Sequence, residues 1–339
     1  MWSHKDVLRE LRARGELWDV APGVTGLRGD AGALFGMLER RIAEVCLDET
    51  SIEWRVPPAI DFATLARAEY FASLPQWLTL ASHLSGDDDA LQELAAHPDP
   101  ARAVRETPTM PSVALNPAVC YHVYAALAGQ VIDASRLITA QAGCWRHEGV
   151  RHESLERGWA FTMREVVCIG RESDARSFLD RSTERASQLA RGLGLDARVA
   201  VATDPFFAST ARAKQLLQQM KELKHELLLP IGADRMTAAA SFNLHDTFFG
   251  DAFDIRLADG RAATTACLAF GIERWTLAFL VAHGPDSSRW PIGHPDASGA
   301  SGGPAFEGVT AIATEHTEER NPTDRLRGGH AVVSQRQNG

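Results

Sequence analysis

Apolar side chains recur at helical spacing in two stretches of the first fifty residues. Val7 and Leu11 follow Ser3, which is a residue type that caps helices. A second stretch begins after Asp30 and repeats apolar residues at intervals of three and four as far as Val45. We therefore predict two helices before the first strand of the chain.

Beyond residue 50, short runs rich in apolar and β-branched residues alternate with charged, amphipathic stretches. The runs predict strands over Ser51–Val56, Arg136–Glu148, Gly158–Gly170, Ala197–Thr203, Leu223–Ile231, Thr237–Asn243 and Phe253–Leu257. Helical spacing and capping residues predict further helices that begin near Asp61, Gly86, Asn116, Ser173, Asp204 and Gly271.

The order of these elements predicts the fold class. Strands and helices do not alternate regularly, and no glycine fingerprint follows a strand, which argues against a doubly wound nucleotide fold. We predict an α+β domain over residues 51–285, with an antiparallel sheet flanked by helices. A helical segment, 1–50, precedes it. A flexible tail rich in Gly, Ser, Pro, Asp and Glu follows over 286–339.

Composition excludes several classes of protein. The 339 residues carry a formal net charge of −9, which argues against a nucleic-acid-binding surface over most of the chain. The sequence lacks an apolar run of the roughly eighteen residues that span a membrane, and its charged start lacks the core of a signal peptide. We expect a cytoplasmic protein. Five dispersed cysteines favour free thiols, metal ligation or catalysis over a disulfide framework.

The hairpin formed by the second and third predicted strands carries the candidate chemistry. Because side chains alternate between the faces of a strand, Arg146 and Glu148 share one face, and Phe161 shares a face with Glu165. If these faces coincide, one surface presents a guanidinium, two carboxylates and an aromatic ring. A solvated face with one salt bridge is the simpler interpretation of such a pattern.

Longer motifs give this hairpin a family context. The segment CWRHEG, followed by an Arg, a Phe and a Glu four residues after the Phe, resembles motif two of the class II aminoacyl-tRNA synthetases. The segment ATTACLAFGIERWTLAFL resembles motif three, in which a strand leads into a helix bearing an arginine, and YFASLPQW is similar to a weak motif one. Three further segments resemble the seryl enzymes of this class: ARVAVATDPFF, ELLLP and SFNLHDTFFGDAFDIR. The resemblance covers about residues 50–282.

Two departures from the seryl enzymes narrow the resemblance. The residues before the first core strand lack the heptads and basic stripes of a helical hairpin that grips tRNA. Cys120 stands where serine recognition uses a glutamate. Together with Glu165 and Cys267 it resembles the zinc site of atypical seryl synthetases and of the amino acid:[carrier protein] ligases, which are their truncated, tRNA-free homologues. The alternative is three unrelated residues, with the cysteines packed as small hydrophobes.

The resemblance implies a chemical role for each candidate residue. Two thiolates and a carboxylate give Zn²⁺ three ligands and leave one position for a substrate α-amino group. Arg146 and Arg274 are the expected catalytic residues, which hold the α-phosphate and the γ-phosphate of ATP. Glu148 accepts a hydrogen bond from the adenine amino group, and Phe161 stacks on the ring.

Further residues are expected around the nucleotide and the amino acid. The resemblance assigns phosphate contacts to Arg157 and Lys224, and the pocket lining to Ala240, Ser241 and Asn243. Thr237 occupies the position at which the seryl enzymes have a glutamate that helps to hold Mg²⁺. We therefore expect Mg²⁺ to rest on Glu226 or on the ATP phosphates.

The implied function is ATP-dependent activation of glycine or alanine as an aminoacyl-adenylate, followed by transfer to the phosphopantetheine thiol of a carrier protein. The resemblance also implies a homodimer that does not use tRNA. An arginine-rich helix over 173–192, with Arg212, Lys214 and Lys221, is a candidate docking surface for the carrier. Three alternatives are a tRNA-charging synthetase, a catalytically silent binding paralogue and a zinc hydrolase. These would need, respectively, an RNA-binding surface, the loss of Arg146 or Arg274, and a base near the metal without ATP motifs.

Overall fold

A seven-stranded sheet organises the chain. The computed structural model describes residues 2–47, 50–84, 88–104, 109–149, 152–202, 204, 218 and 221–292. The strands are β1 Leu17–Ala21, β2 Val24–Leu27, β3 Ser51–Arg55, β4 Ala59–Asp61, β5 Leu80–Ala81, β6 Val113–Leu115, β7 Val131–Ile132, β8 Arg136–Trp145, β9 Ala160–Gly170, β10 Arg198–Val201, β11 Lys224–Gly232, β12 Arg235–Leu244, β13 Arg256–Leu257 and β14 Thr264–Gly271. The helices are α1 His4–Ala13, α2 Gly29–Cys46, α3 Phe62–Arg67, α4 Tyr70–Ser73, α5 Asp88–Ala96, α6 Pro100–Ala103, α7 Cys120–Ala126, α8 Glu172–Gly192, α9 Phe248–Ala252 and α10 Ile272–His283.

The order of strands in the main sheet is β10–β11–β12–β14–β9–β8–β3. Neighbouring strands are antiparallel, except that β3 runs parallel to β8 at one edge. The β8–β9 hairpin predicted from the sequence is therefore present, and it lies beside β14, which comes nearly 100 residues later in the chain. The prediction of an α+β fold on a largely antiparallel sheet is confirmed.

The central strands are covered on both faces. One face packs against α1, α2, α8 and α10 in a cluster that includes Leu34, Phe178 and Trp275. The other face packs against α7 and α9 in a cluster that includes Val123 and Phe253. Since both faces are covered, β9 and β14 are nearly continuous runs of buried residues, without a regular apolar–polar alternation. The N-terminal helices thus share a hydrophobic cluster with the sheet.

Local signals in the sequence account for several element boundaries. The Ser3 side chain accepts a hydrogen bond from the backbone N–H of Asp6 and caps α1, as predicted. Asp61 caps α3 in the same way through the N–H of Thr64. The helix predicted from Asp204 onward lies mostly outside the described residues, as does the tail beyond residue 292.

Two local features differ from what the sequence predicts. No prediction covered the β1–β2 hairpin, whose turn contains Gly23 at φ +75°. The strand predicted over Phe253–Leu257 is reduced to the two residues of β13, because Phe253 is fully buried against the α7 side of the sheet. The chain then turns at Asp254, which has φ +52°. The aromatic and apolar composition of residues 253–257 predicted a strand, but burial of Phe253 in the core places a helix end and a turn there instead.

The chain remains packed beyond α10. Trp290 is buried, its ring lies edge-on to Phe279 with 5.6 Å between the ring centroids, and its Nε1 donates to the carbonyl of Gly284. Within the described ranges, no helix has the length and apolar character needed to cross a bilayer.

Candidate active site

The strand register places predicted site residues on one face of the sheet. Glu165 on β9 lies opposite Ala269 on β14, which lies opposite Ser241 on β12, which in turn lies opposite Glu226 on β11. Directly opposite residues in an antiparallel ladder point to the same side. This first row crosses four strands and carries three polar side chains, although its members are far apart in the sequence.

A second row runs parallel to the first. Cys267 lies opposite Asn243, which lies opposite Lys224. On each strand these residues are two positions away from a member of the first row, so both rows share a face. The register thus gathers a thiol, an amide, an ammonium, a hydroxyl and two carboxylates above the middle of the sheet.

Two adjoining cavities lie over this face. The first is the nucleotide cavity, and it contains most of the residues expected to hold ATP: Arg146, Glu148, Phe161, Lys224, Glu226, Ala240, Ser241 and Arg274. The second is the thiol cavity, lined by the expected substrate and metal residues Cys120, Glu165, Asn243 and Cys267. Residues that line both cavities form a shared wall: Arg146, Met163, Lys224, Ser241 and Ala269.

Arg146 is held in place from three sides. Its guanidinium carbon lies 5.2 Å from the ring centroid of Trp77 and 5.5 Å from that of Phe161, and its Nε donates to the carbonyl of Pro117 at 2.9 Å. Two cation–π contacts and a hydrogen bond on Nε fix the plane of the guanidinium. This arrangement suits a cation that binds an anion at the shared wall.

The expected motif-three arginine is fixed by backbone carbonyls. Arg274 donates from Nε to the carbonyl of Glu156 and from Nη1 to the carbonyl of Ala238, each at 2.7 Å. Its neighbour Glu273 accepts a hydrogen bond from the backbone N–H of Thr162 at 2.8 Å. Burial raises the pKa of the Glu273 carboxyl to about 7.

Arg157 lies outside the nucleotide cavity, where the resemblance expected a phosphate contact. Its Nη1 donates to Glu148 Oε2 at 2.6 Å. Glu148 lines the cavity and is the expected acceptor for adenine. The structure therefore places Arg157 as a partner that orients Glu148.

Lys224 joins two carboxylates at the shared wall. Its Nζ lies 2.5 Å from Asp204 Oδ1 and 3.3 Å from Glu226 Oε1. Burial lowers the pKa of Lys224, but the two carboxylates more than offset this and raise it above its ordinary value. Lys224 is therefore a charged residue at the position where the two cavities meet.

Thr237 is not among the residues that line the nucleotide cavity.

Cys120, Glu165 and Cys267 meet in the thiol cavity. The neighbouring Cys120 thiol holds the pKa of the Cys267 thiol well below its usual range, while Cys267 and burial together raise the pKa of Cys120. Burial, with the nearby Cys267 thiolate, raises the pKa of Glu165 to about 8. Glu165 Oε2 is buried and has no hydrogen-bond partner within the described part of the chain.

The chemistry of this trio fits Zn²⁺. Thiolate and carboxylate are both zinc ligands, and a cation bound by them would satisfy the orphaned carboxylate oxygen and remove the penalty of a buried charge. Asn243 Nδ2 and His245 Nε2 lie 3.4 and 3.8 Å from Cys267 Sγ, where they orient the sulfur. His245 was not among the predicted site residues, although it lies only two residues beyond Asn243 on the segment that resembles the seryl enzymes.

The other three cysteines do not belong to the site. Cys144 lies opposite Phe161 and Cys168 lies opposite Leu137, so these two thiols are not across from one another in the hairpin. Burial raises the pKa of Cys46 to about 12 and that of Cys168 to about 11. Neutral, buried thiols of this kind act as small apolar side chains.

A different group of possible ligands is more tightly clustered. The ligand atoms of His4, Glu153 and Glu156 all lie within 4.8 Å of one another. The guanidinium of Arg235 lies among them, 2.8 Å from His4 Nε2 and 2.8 Å from Glu156. Because the Arg235 guanidinium already pairs with these carboxylates, we call His4, Glu153, Glu156 and Arg235 the ion-pair cluster. The sequence carried no signal for it, because its members come from separate parts of the chain.

The arginines proposed as a carrier-docking surface are largely engaged within the protein. Arg176 and Arg191 pair with Glu172 and Glu184 of the same helix, α8. Arg185 donates to carbonyls at the C-terminus of α2. Moreover, α8 packs on the sheet face opposite the two cavities. An acceptor bound to α8 would therefore lie on the far side of the sheet from the site.

Comparison with known proteins relates the chain to two kinds of amino acid ligase. No protein-family model matches the chain. Two amino acid–[acyl-carrier-protein] ligases of Bradyrhizobium diazoefficiens are each 36% identical to it, over 70% and 82% of this chain and 73% and 84% of the relatives. The type-2 serine–tRNA ligase of Methanopyrus kandleri is 28% identical over 84% of this chain, which spans 58% of that relative.

Solved structures agree on the fold. M. kandleri SerRS, solved in complex with A. aeolicus tRNASec, superposes with a TM-score of 0.75 at 22% identity over 91% of this chain. The cytoplasmic serine–tRNA ligase of Naegleria fowleri, solved in complex with AMP, superposes with a TM-score of 0.63 at 11% identity over 84% of this chain. The chain spans 63% of the length of each of these two structures. The class II sheet predicted from the motifs is thus confirmed.

Proposed function

Because the chain belongs to the amino acid–[acyl-carrier-protein] ligase family, we propose that it activates a small amino acid with ATP and transfers the aminoacyl group to the phosphopantetheine thiol of a carrier protein. The observation that carries this proposal is the pair of adjoining cavities with Arg146 in their shared wall. One cavity has the residues that suit a nucleotide, and the other has those that suit an amino acid bound through its amine.

The first proposed step joins the two substrates at the shared wall. A carboxylate oxygen of the amino acid attacks the α-phosphorus of ATP, the new P–O bond forms, and the bond to pyrophosphate breaks. Arg146 is preorganised by Trp77 and Phe161 to neutralise the charge that develops on the α-phosphate. Lys224 supplies a second positive charge at the same wall. Most of the rate enhancement then comes from positioning and charge stabilisation.

The remaining nucleotide contacts follow from the first cavity. Arg274, anchored by two carbonyls, is assigned to the γ-phosphate, and Glu148, oriented by Arg157, is assigned to the adenine amino group. Thr237 is absent from the cavity lining, so the proposed Mg²⁺ contacts are Glu226 and the phosphates.

Cys120, Glu165 and Cys267 are the proposed zinc ligands. The bound ion would supply one open coordination position for the α-amino group of the substrate. Asn243 holds the Cys267 sulfur from the neighbouring strand. Recognition through the amine leaves little binding energy to the substrate side chain, which suits glycine or alanine.

The proposed acceptor is a phosphopantetheinylated carrier protein, and tRNA is not expected to be one. Two relatives at 36% identity are amino acid–[acyl-carrier-protein] ligases by name, and the net charge of −9 does not favour a polyanion such as tRNA. The thiolate of the phosphopantetheine arm attacks the adenylate carbonyl, a thioester bond forms, and AMP leaves. The test is amino-acid-dependent exchange of labelled pyrophosphate into ATP, followed by thioester formation on a holo-carrier protein.

We also propose that the active form is a homodimer, as the resemblance to class II enzymes implies. The strand β3 forms one edge of the main sheet and exposes Ile52, which is 52% accessible. The unpaired backbone groups of an edge strand can pair with a strand of another chain. Light scattering on the purified protein tests this assignment, and a monomeric mass at micromolar concentration would contradict it.

A further inference from the structure

A tight turn at residues 153–157 borders the nucleotide cavity. Its backbone closes through hydrogen bonds in both directions between Glu153 and Arg157, at 3.1 and 2.8 Å. Leu155, which lines the cavity, adopts φ +61° at the centre of the turn. A non-glycine residue in this region is strained, and such a conformation persists only where the surrounding contacts hold it.

The inner side of this turn touches both ends of the nucleotide cavity. The carbonyl of Glu156 accepts the 2.7 Å hydrogen bond from Arg274, the residue assigned to the γ-phosphate. The side chain of Arg157 donates the 2.6 Å bond to Glu148, the residue assigned to adenine. A displacement of the turn would therefore move the residues at both ends of the ATP site.

The outer side of the turn is held by the ion-pair cluster. Arg235, at the start of β12, donates from Nη2 to Glu156 at 2.8 Å and to Glu153 at 3.3 Å. His4 of α1 places Nε2 3.0 Å from Glu153 and 2.8 Å from Arg235 Nη1. His4 and Glu156 are nearly buried, so these contacts are partly shielded from solvent.

A second set of contacts holds the same turn to the β1–β2 hairpin. Ser154 donates to Asp19 at 2.8 Å and accepts from Arg12 at 2.9 Å. The carbonyl of Gly23 accepts hydrogen bonds from the backbone N–H groups of Trp159 and of the residue that follows it. A Cβ at Gly23 would lie 2.6 Å from the Trp159 nitrogen, so glycine is required for this close approach.

We propose that Arg235 and His4 are positioning residues for ATP binding, acting through the turn at 153–157 on Arg274 and Glu148. This inference rests on the proposed nucleotide site. It gives α1 a part in ATP binding that its sequence did not suggest. The cluster acts on the nucleotide cavity and has no contact with the thiol cavity.

The test compares steady-state pyrophosphate exchange in the wild type with that in Arg235→Gln, Arg235→Lys and His4→Gln. We expect Arg235→Gln to raise the KM for ATP about fivefold to tenfold, in keeping with lost hydrogen bonds between partly exposed charged groups. Arg235→Lys keeps the charge and should recover part of this loss. The KM for the amino acid should stay within about twofold, and the zinc content should not change.

The matched control is Arg9→Gln, which removes an exposed Arg9–Asp6 ion pair from the same helix as His4. It should leave the KM for ATP unchanged. If Arg235→Gln is too unstable to measure, His4→Gln and Arg235→Lys carry the comparison, with thermal unfolding recorded for each variant.

Two results separate the possible failures. The positioning role would be overturned if Arg235→Gln left the KM for ATP unchanged. It would also be overturned if the KM for ATP and the KM for the amino acid rose equally, together with a loss of thermal stability. Either outcome would leave the proposed function intact. A wild-type protein that shows no amino-acid-dependent exchange would overturn the proposed function, and this inference with it.

Discussion

Asn243 lies directly opposite Cys267 on the neighbouring strand, and its amide Nδ2 is 3.4 Å from the Cys267 sulfur. The nearby Cys120 thiol, with smaller contributions from His245 and Asn243, lowers the pKa of the Cys267 thiol. The thiolate is the form of cysteine that binds metals. The strand register therefore places a thiol that ionises readily in the thiol cavity.

The zinc assignment makes the first prediction. The purified protein should contain about one Zn²⁺ per chain, and Cys267→Ser should lower both the zinc content and the rate of amino acid activation, because it removes a thiolate ligand. Metal analysis of the purified variants measures the content directly. Cys168→Ala is the matched control, since Cys168 is a buried thiol on the opposite face of the sheet. Full zinc content in a Cys120→Ser/Cys267→Ser double variant would remove these residues from the metal site.

A second prediction concerns Arg274. Arg274→Ala should lower the rate of pyrophosphate exchange at saturating ATP by roughly 10²–10³, the scale for the loss of one preorganised charge-stabilising donor. Arg171→Ala, which removes an exposed ion pair with Asp259, serves as the control and should keep the wild-type rate. An Arg274→Ala variant that exchanges pyrophosphate as fast as the wild type would exclude Arg274 from the nucleotide site.

A third prediction concerns the ring that covers Arg146. Trp77→Ala should lower the exchange rate at saturating ATP by about tenfold, because a cation–π contact worth roughly 0.5–2 kcal/mol no longer holds the guanidinium. Trp77→Phe keeps an aromatic face and should stay within about threefold of the wild type. Trp2→Ala, at a half-exposed tryptophan outside the two cavities, is the control. Equal rates for Trp77→Ala and Trp77→Phe would show that the ring does not position Arg146.

A fourth prediction concerns the buried carboxyl of Glu273 and the pH dependence of the free energy of unfolding. Burial raises its pKa to about 7, above the ordinary value of 4.5, so between these values the folded protein binds more protons than the unfolded chain. This contribution to the free energy of unfolding is complete below pH 4.5 and is lost as the pH rises through 7. Its size is up to about 3 kcal/mol.

Glu273→Gln keeps the acceptor for Thr162 and removes the titration. Relative to the wild type, it should gain stability progressively from pH 4.5 to 7, as measured by urea unfolding at several pH values. Glu172→Gln, which removes an exposed carboxyl from the surface of α8, is the control variant. The same pH dependence in Glu273→Gln as in the wild type would contradict the elevated pKa.

Much of the fold was predictable because its signals are local. Ser3 marks a helix start, and the apolar runs on either side of a polar loop mark the β8–β9 hairpin. The short segment after α9 was not predictable, since burial of Phe253 and the turn at Asp254 overrode its strand-like composition. Tertiary packing therefore determined the conformation of that segment.

The candidate site was predictable only through motif resemblance. Cys120, Glu165 and Cys267 are far apart in the sequence, and only the sheet register and the position of α7 bring them into one cavity. His4 and Arg235 carried no signal at all, because a hydrogen bond between residues 231 positions apart leaves no periodic pattern. Such contacts appear only when the fold is known.

One measurement tests the proposed acceptor most directly. Wild-type protein is incubated with ATP, labelled glycine or alanine, and either a phosphopantetheinylated carrier protein, the same carrier without its phosphopantetheine, or total tRNA. We predict a hydroxylamine-sensitive aminoacyl thioester on the phosphopantetheinylated carrier alone, formed with release of AMP and pyrophosphate. Efficient acylation of tRNA, without a thioester on any phosphopantetheinylated carrier tested, would contradict the proposed function.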